Sequence, residues 1–280
     1  MMSKITLQDL DRFRNHLRRQ ERSPGTVENY LRYARAFASR LEGRGVTKEL
    51  TAAWKEGLVA QGYAPATVNA MLAAVNGLLA FLGREDCRVK LLRIQRRLFR
   101  DPARELTGEE YRRLLDTARA RGRERLALLM EAICATGIRV SEVKYLTVEA
   151  AKQGRTDISL KGKVRTILIP NKLCRKLLKY AKKNKTASGE IFLTRSGKSL
   201  SRRQIWCELK SLCSQAGVEP SKVFPHNLRH LFARCFYRAT RDVARLADVL
   251  GHSSIDTTRI YLISTGVEHA RILDRLRLTS

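Results

Sequence analysis

The sequence predicts a mainly α protein with one small β-hairpin, an α+β chain built as two domains. Three observations carry this. At 280 residues the chain exceeds the usual size of one domain. Apolar residues recur at helical spacing along most of it. One short stretch alternates apolar and polar residues on either side of a Lys-Gly turn. The 44% hydrophobic content is ample for two cores.

The predicted elements follow in order. Thr6 stands before Asp9 and the series Leu7, Leu10, Phe13, Leu17, the pattern of a capped amphipathic helix. Ser23-Pro24 places a capping side chain before a proline at the first helical position, and Val27, Tyr30, Leu31, Ala34 and Phe37 then share a face. Pro65-Ala66-Thr67-Val68 echoes Pro24-Gly25-Thr26-Val27 and leads into Met71, Leu72, Val75, Leu78, Leu79 and Leu82. Two similar helix starts explain this echo better than a true repeat. The first domain therefore covers residues 1–98 and is helical, a basic linker covers 99–105, and the second domain covers 106–280. The second opens on Thr107-Gly108-Glu109-Glu110, a T-x-x-E capping box. Ile158 and Leu160 alternate on the way into a turn at Lys161-Gly162-Lys163, and Ile167 and Ile169 on the way out. Ser201-Arg202-Arg203-Gln204 reads as an S-x-x-Q box starting a helix with Arg202, Arg203 and Lys210 on its outside.

Composition narrows the function classes. The 55 Lys+Arg against 27 Asp+Glu leave a formal charge of +28, which points to a polyanionic partner, with nucleic acid ahead of a membrane surface. Residues 84–104 are the sharpest instance, with Arg84, Arg88, Lys90, Arg93, Arg96, Arg97, Arg100 and Arg104 against Glu85, Asp86 and Asp101, the balance of a segment that tracks phosphates. No apolar stretch approaches a membrane span and no signal-peptide core opens the chain, so a soluble cytoplasmic protein is expected. The six cysteines form no C-x-x-C pair, so structural thiols are expected rather than a zinc site. Gly197-Lys198-Ser199 is a decoy for a phosphate loop, because the glycine required five positions before Gly197 is Phe192. No metal and no cofactor are expected.

Residues of one chemistry are scattered over the second domain. Arg139 lies in Ala135-Thr136-Gly137-Ile138-Arg139-Val140-Ser141-Glu142, directly after an apolar helix, a poor place for a charge without a partner. His226 and Arg229 lie in Pro225-His226-Asn227-Leu228-Arg229-His230, three residues apart on a helix start and so on one face. His252 lies in Leu250-Gly251-His252-Ser253-Ser254, and Tyr261 follows nine residues later. Arginines can fork onto the non-bridging oxygens of one phosphate and match its gain of negative charge in the transition state. A phenol is only about one part in a thousand ionised at neutral pH, so such neighbours are what make its attack feasible.

In order, spacing and wording these motifs resemble the tyrosine recombinases, the family of phage integrases and Xer proteins, and the resemblance covers nearly the whole chain. It implies a two-domain DNA clamp, a helical SAM-like core-binding domain joined to a catalytic domain. It implies site-specific cleavage and rejoining of DNA through a 3′-phosphotyrosyl intermediate and a Holliday junction, with Tyr261 as nucleophile. Arg139, His226 and Arg229 would hold the phosphate, and His252 would hydrogen-bond the phosphate or the tyrosine. Lys161 would protonate the leaving 5′ oxygen, since Lys161-Gly162 with Arg165 and Pro170 downstream matches the family pattern; Lys163 is its rival. Glu142 would support the site from behind by orienting a histidine or arginine, and His230 would mainly pack. Arg93, Arg96, Arg97 and Arg100 of the basic run, with Arg202, Arg203 and Lys210 on a helix entering the major groove, would touch DNA. The partners implied are double-stranded DNA with inverted-repeat core sites, accessory proteins, and three further copies of the chain in a tetramer. The link between copies would be an amphipathic helix over 266–278, striped by Val267, Ala270, Ile272, Leu273 and Leu276. An arm-binding domain is expected to be absent. Two other readings stand beside this one: a helix-turn-helix regulator, suggested by Ala244 to Tyr261, and a type IB topoisomerase.

Overall fold

The computed structural model describes residues 4–94, 102–160, 163–252, 254–259, 261 and 274–276. They fall into two compact units, Met1–Arg96 and Arg97–Ser280.

The first unit is four helices, α1 (Leu7–Arg19), α2 (Pro24–Arg40), α3 (Lys48–Ala60) and α4 (Pro65–Phe81). Local chemistry sets their starts. Thr6 and Asp9 close a reciprocal box, Asp9 N donating to Thr6 Oγ1 at 3.2 Å and Thr6 N to Asp9 Oδ2 at 3.0 Å. Ser23 caps α2 by accepting from Thr26 N at 3.3 Å, whereas α4 opens on Pro65 with no side-chain cap, Ala64 standing where Ser23 does. The two echoing segments thus share a proline-initiated start but not a cap. Phe37, Leu72 and Leu79 are wholly buried, and Trp54 of α3 meets the Phe37 ring edge-on at 5.2 Å.

After α4 the chain does not leave as a linker. Asn76 donates Nδ2 to Val89 O at 2.8 Å and accepts from Val89 N at 3.1 Å; Asn69, two turns earlier, repeats this with Leu92 at 2.9 and 2.7 Å. Each amide carries both a donor and an acceptor, so it satisfies a whole backbone unit as a neighbouring strand would. Much of the basic 84–104 run therefore belongs to the helical unit, and Arg84 is tied to Asp86 and to Val46 O. Arg93 is exposed; Arg96, Arg97 and Arg100 lie outside the described residues.

The second unit starts with α5 (Gly108–Ala120), capped by the Thr107–Glu110 box, and α6 (Glu124–Thr136). A 3₁₀ helix, Val140–Tyr145, and α7 (Val148–Gln153) lead into an antiparallel pair, β1 (Arg155–Leu160) and β2 (Lys163–Leu168). Its register pairs Thr156 with Ile167, Ile158 with Arg165 and Leu160 with Lys163. Lys163 therefore belongs to the ladder, a correction to the three-residue turn expected from sequence; Lys161 and Gly162 lie outside the described residues. Ile158 and Ile167 are buried in the core that α5, α6 and α8 (Asn171–Lys183) share, while Val164 and Leu168 face out. Among the lysines of α8, Lys176 pairs with Glu131 and Lys183 with Glu124.

Next come α9 (Arg202–Lys210), the short α10 (Cys213–Ala216), α11 (Pro225–Thr240), α12 (Val243–Leu250) and α13 (Ile255–Arg259). Ser201 caps α9 as expected, but Gln204 turns its side chain to Glu208 instead of completing a box. Arg202 and Arg203 are exposed. Lys210 is not a free cation: its Nζ donates to Pro220 O and sits 5.1 Å from the centre of the Trp206 ring. In the C-terminal stretch residues 274–276 are helical and Leu276 is exposed, while Val267, Ala270, Ile272 and Leu273 lie outside the described residues. Among the described residues no helix is long and apolar enough to cross a membrane, and no three His, Cys, Asp or Glu side chains are grouped to hold a metal ion.

Candidate active site

Three helix ends converge on one cluster. The apolar helix α6 stops at Gly137, whose φ of +63° is the left-handed conformation that favours glycine. A Cβ there would also come within 2.4 Å of the Phe232 ring. Helix α12 stops in the same way at Gly251, φ +62°, where a Cβ would lie 2.3 Å from Arg165 Cδ. Helix α11 starts at Pro225 and points its first turn between these two stops. Both stops leave carbonyls unpaired by their helices, and the guanidinium of Arg229 takes one from each.

Arg229 is only 1% exposed. Its Nη1 donates to Gly137 O, and its Nη2 donates to Leu250 O at 2.8 Å and meets His252 Nε2 at 3.0 Å. The Tyr261 side chain lies beside it. Its Nε is buried without a hydrogen-bond partner. Burial, with Arg139 nearby, pulls the guanidinium down to about 10, and Tyr261 opposes that shift. Arg229 thus remains a cation at neutral pH.

Arg139 is held differently. Its side chain is 41% exposed, with Nη1 on Glu142 Oε1 at 2.8 Å and Nη2 reaching toward Gly251 O at 3.5 Å, while its backbone N donates to Glu142 Oε2 at 2.8 Å. Glu142, only 2% exposed, accepts a third bond at 2.8 Å from Arg165 Nη1. The carboxylate expected to orient a histidine or arginine bonds two arginines.

The three histidines and Tyr261 form a chain of rings. His226 and His230 meet edge-on at 4.6 Å, His230 and Tyr261 edge-on at 4.6 Å, and His252 stacks on Tyr261 at 5.9 Å. Tyr261 is 5% exposed and lies within its own chain's cluster. His230 packs between His226 and Tyr261; burial, then the nearby His226, Arg234 and Arg229, push it down to about 3. Burial and then Arg229, Arg139 and Arg165 push His252 down to about 4, so both rings are neutral at physiological pH.

Of the residues singled out from sequence, the structure brings Arg139, Glu142, His226, Arg229, His230, His252 and Tyr261 together; Lys161 lies outside the described residues. Two partners escaped the sequence reading. Arg165 entered it only as part of a pattern, yet its place two residues before Ile167 puts it on the buried face of the hairpin, a signal that strand alternation carries. Thr258, wholly buried, takes the other nitrogen of His252, Nδ1 to Oγ1 at 2.8 Å, and nothing in its local sequence marks it.

Residues 104–266 match the model of the phage integrase family, and residues 10–86 match that of the phage integrase N-terminal SAM-like domain. Tyrosine recombinase XerA of Pyrococcus furiosus is 29% identical, with 95% of each chain covered. Tyrosine recombinase XerC of Roseiflexus castenholzii is 32% identical, covering 91% of this chain and 88% of the relative. The crystal structure of a lambda integrase tetramer bound to a Holliday junction has the same fold, with a TM-score of 0.74 at 19% identity over 92% of this chain and 77% of that one. The chain belongs to the phage integrase family, the tyrosine-type site-specific DNA recombinases.

Proposed function

We propose that this protein cleaves and rejoins DNA at inverted-repeat core sites through a covalent bond to Tyr261. The observation that carries this is Arg229, a buried cation beside Tyr261 and bonded to His252, with a buried N–H left over. A phosphodiester supplies the missing acceptor. In the cleavage step the Tyr261 oxygen passes its proton to His252 and attacks phosphorus, the bond to the 5′ oxygen breaks, and that oxygen leaves as a hydroxyl with a proton from Lys161. Arg139 and Arg229 stabilise the charge that builds on the phosphate. Reversal by a 5′ hydroxyl of a second duplex rejoins the strand.

In the same proposal the helical unit binds the core site, the exposed Arg93, Arg202 and Arg203 contribute phosphate or base contacts, and four copies act on two sites, linked by the tail 266–278. The domain limits 1–98, 99–105 and 106–280 belong to it as functional divisions. The protein would act in the cytoplasm. A helix-turn-helix regulator is a poorer fit, because α13, with five residues, is short for a helix lying along a groove.

The test is a plasmid carrying two copies of an inverted-repeat site taken from DNA flanking the gene. The proposal predicts deletion or inversion between the sites. Relaxation of any supercoiled plasmid would make the chain a topoisomerase, and binding without strand exchange a regulator.

A further inference from the structure

Arg165 is a charged side chain on the buried face of a strand, 9% exposed, opposite Ile158 and next but one to Ile167. Such a position costs several kcal/mol unless the charge is paired and hydrogen-bonded. Its pairing is specific. Nη1 takes Glu142 Oε2 at 2.8 Å and Nη2 takes Val249 O at 2.8 Å, and its Cδ presses against Gly251 so closely that no side chain fits there. One guanidinium therefore joins the hairpin, the 3₁₀ helix behind Arg139 and the turn that carries His252.

The charges add a second consequence. Glu142 is buried and salt-bridged to both arginines. With Arg139 alone it would form a neutral pair, and the positive charge that Arg139 offers would be largely spent on the carboxylate. With Arg165 present the cluster Arg139–Glu142–Arg165 carries a net charge of +1, and the member with its side chain 41% exposed is Arg139. Arg165, with both terminal nitrogens engaged, does not itself reach outward.

We propose that Arg165 is a positioning residue, which neutralises Glu142 from behind so that Arg139 meets the scissile phosphate as an uncompensated cation. This rests on the recombinase reading of the site but concerns a residue to which that reading gives no role.

The experiment is a double-mutant cycle on the full chain. Single-turnover cleavage of a nicked DNA substrate is measured for wild type, Arg165→Met, Glu142→Gln and the double variant, with DNA affinity and melting temperature followed alongside. Arg165→Met should lose about 100-fold in cleavage, the scale of removing one charge-stabilising donor, with DNA affinity nearly unchanged. On the Glu142→Gln background, where no carboxylate needs neutralising, the same change should cost less than about fivefold. Arg165→Lys, which keeps the charge, should stay within about tenfold of wild type even if Arg165→Met folds poorly. Equal losses on both backgrounds would overturn the proposal, because a merely structural arginine gives additive effects. A readout without chemistry separates this from the function itself: inorganic phosphate titrated onto protein with labelled histidine, followed on the His252 ring. Phosphate should bind the site about tenfold more weakly in Arg165→Met and recover in the double variant. Unchanged phosphate affinity in Arg165→Met would refute the proposal. Absence of any covalent product from wild type would refute the recombinase reading instead, leaving the phosphate titration to decide.

Discussion

Arg229 points Nη2 at His252 Nε2 across 3.0 Å, and that contact fixes the tautomer of the histidine. A guanidinium can only donate, so Nε2 accepts and the ring proton sits on Nδ1, where Thr258 Oγ1 receives it at 2.8 Å. His252 is thus a neutral acceptor beside Tyr261, suited to hold the phenolic proton as the phosphate enters between the arginines.

Thr258 should therefore matter to the chemistry although it touches no substrate. Thr258→Val keeps the shape and removes the acceptor, which costs about 1.4 kcal/mol for the stranded donor, or tenfold in cleavage if the loss falls on the tautomer. Thr258→Ser should restore most of the rate. A valine variant cleaving at the wild-type rate would show that the tautomer is set elsewhere.

The two arginines should fail differently. Arg139→Ala should lower cleavage about 100- to 1000-fold and leave DNA affinity within a few-fold, because other cations carry most phosphate contacts. Arg229→Ala strands the carbonyls of Gly137 and Leu250 as well, at about 1–3 kcal/mol each, so its melting temperature should drop with its activity. Calorimetry on both variants checks this; equal melting temperatures would mean that Arg229 is not the clamp between the two helix ends.

Lys161→Ala should be inactive on ordinary nicked DNA and regain cleavage on a 5′-phosphorothiolate strand, whose sulfur leaves without a proton. Rescue of Lys163→Ala instead would move the acid to Lys163, in the ladder.

Acid should weaken the catalytic unit. His230 and His252 titrate at about 3 and about 4 when folded, below the ordinary value near 6.5. The folded state then binds fewer protons than the unfolded chain, so stability falls as pH drops through the window between those values. Melting at about pH 5 should come several degrees below melting at about pH 7.5, and His230→Gln should narrow the gap. A melting temperature that holds steady over that range would place these rings in water rather than in the cluster.

Much of this was legible in the sequence, for identifiable reasons. Thr6, Ser23, Thr107 and Ser201 act on neighbours three residues away, so local spacing foretells their helix starts. Alternation of Ile158 and Ile167 foretells the hairpin. The motifs around Arg139, Arg229 and His252 mark themselves because each sits beside a helix end, with Gly137 and Gly251 as stops. What stayed hidden is contact between distant segments. Arg165 meets Val249, Asn69 and Asn76 hold 89–92, and Lys210 turns to Pro220 instead of outward; none of these follows from periodicity.

The central claim is that Tyr261 attacks DNA within a cationic site and needs no divalent metal. The most direct test incubates the protein with nicked core-site DNA in excess chelator and follows the protein by denaturing gel and peptide mass spectrometry. The account predicts a covalent product, with the 3′ phosphate joined to the peptide bearing Tyr261, and none with Tyr261→Phe. Cleavage that appears only when magnesium is supplied, or an adduct that survives Tyr261→Phe, would contradict it.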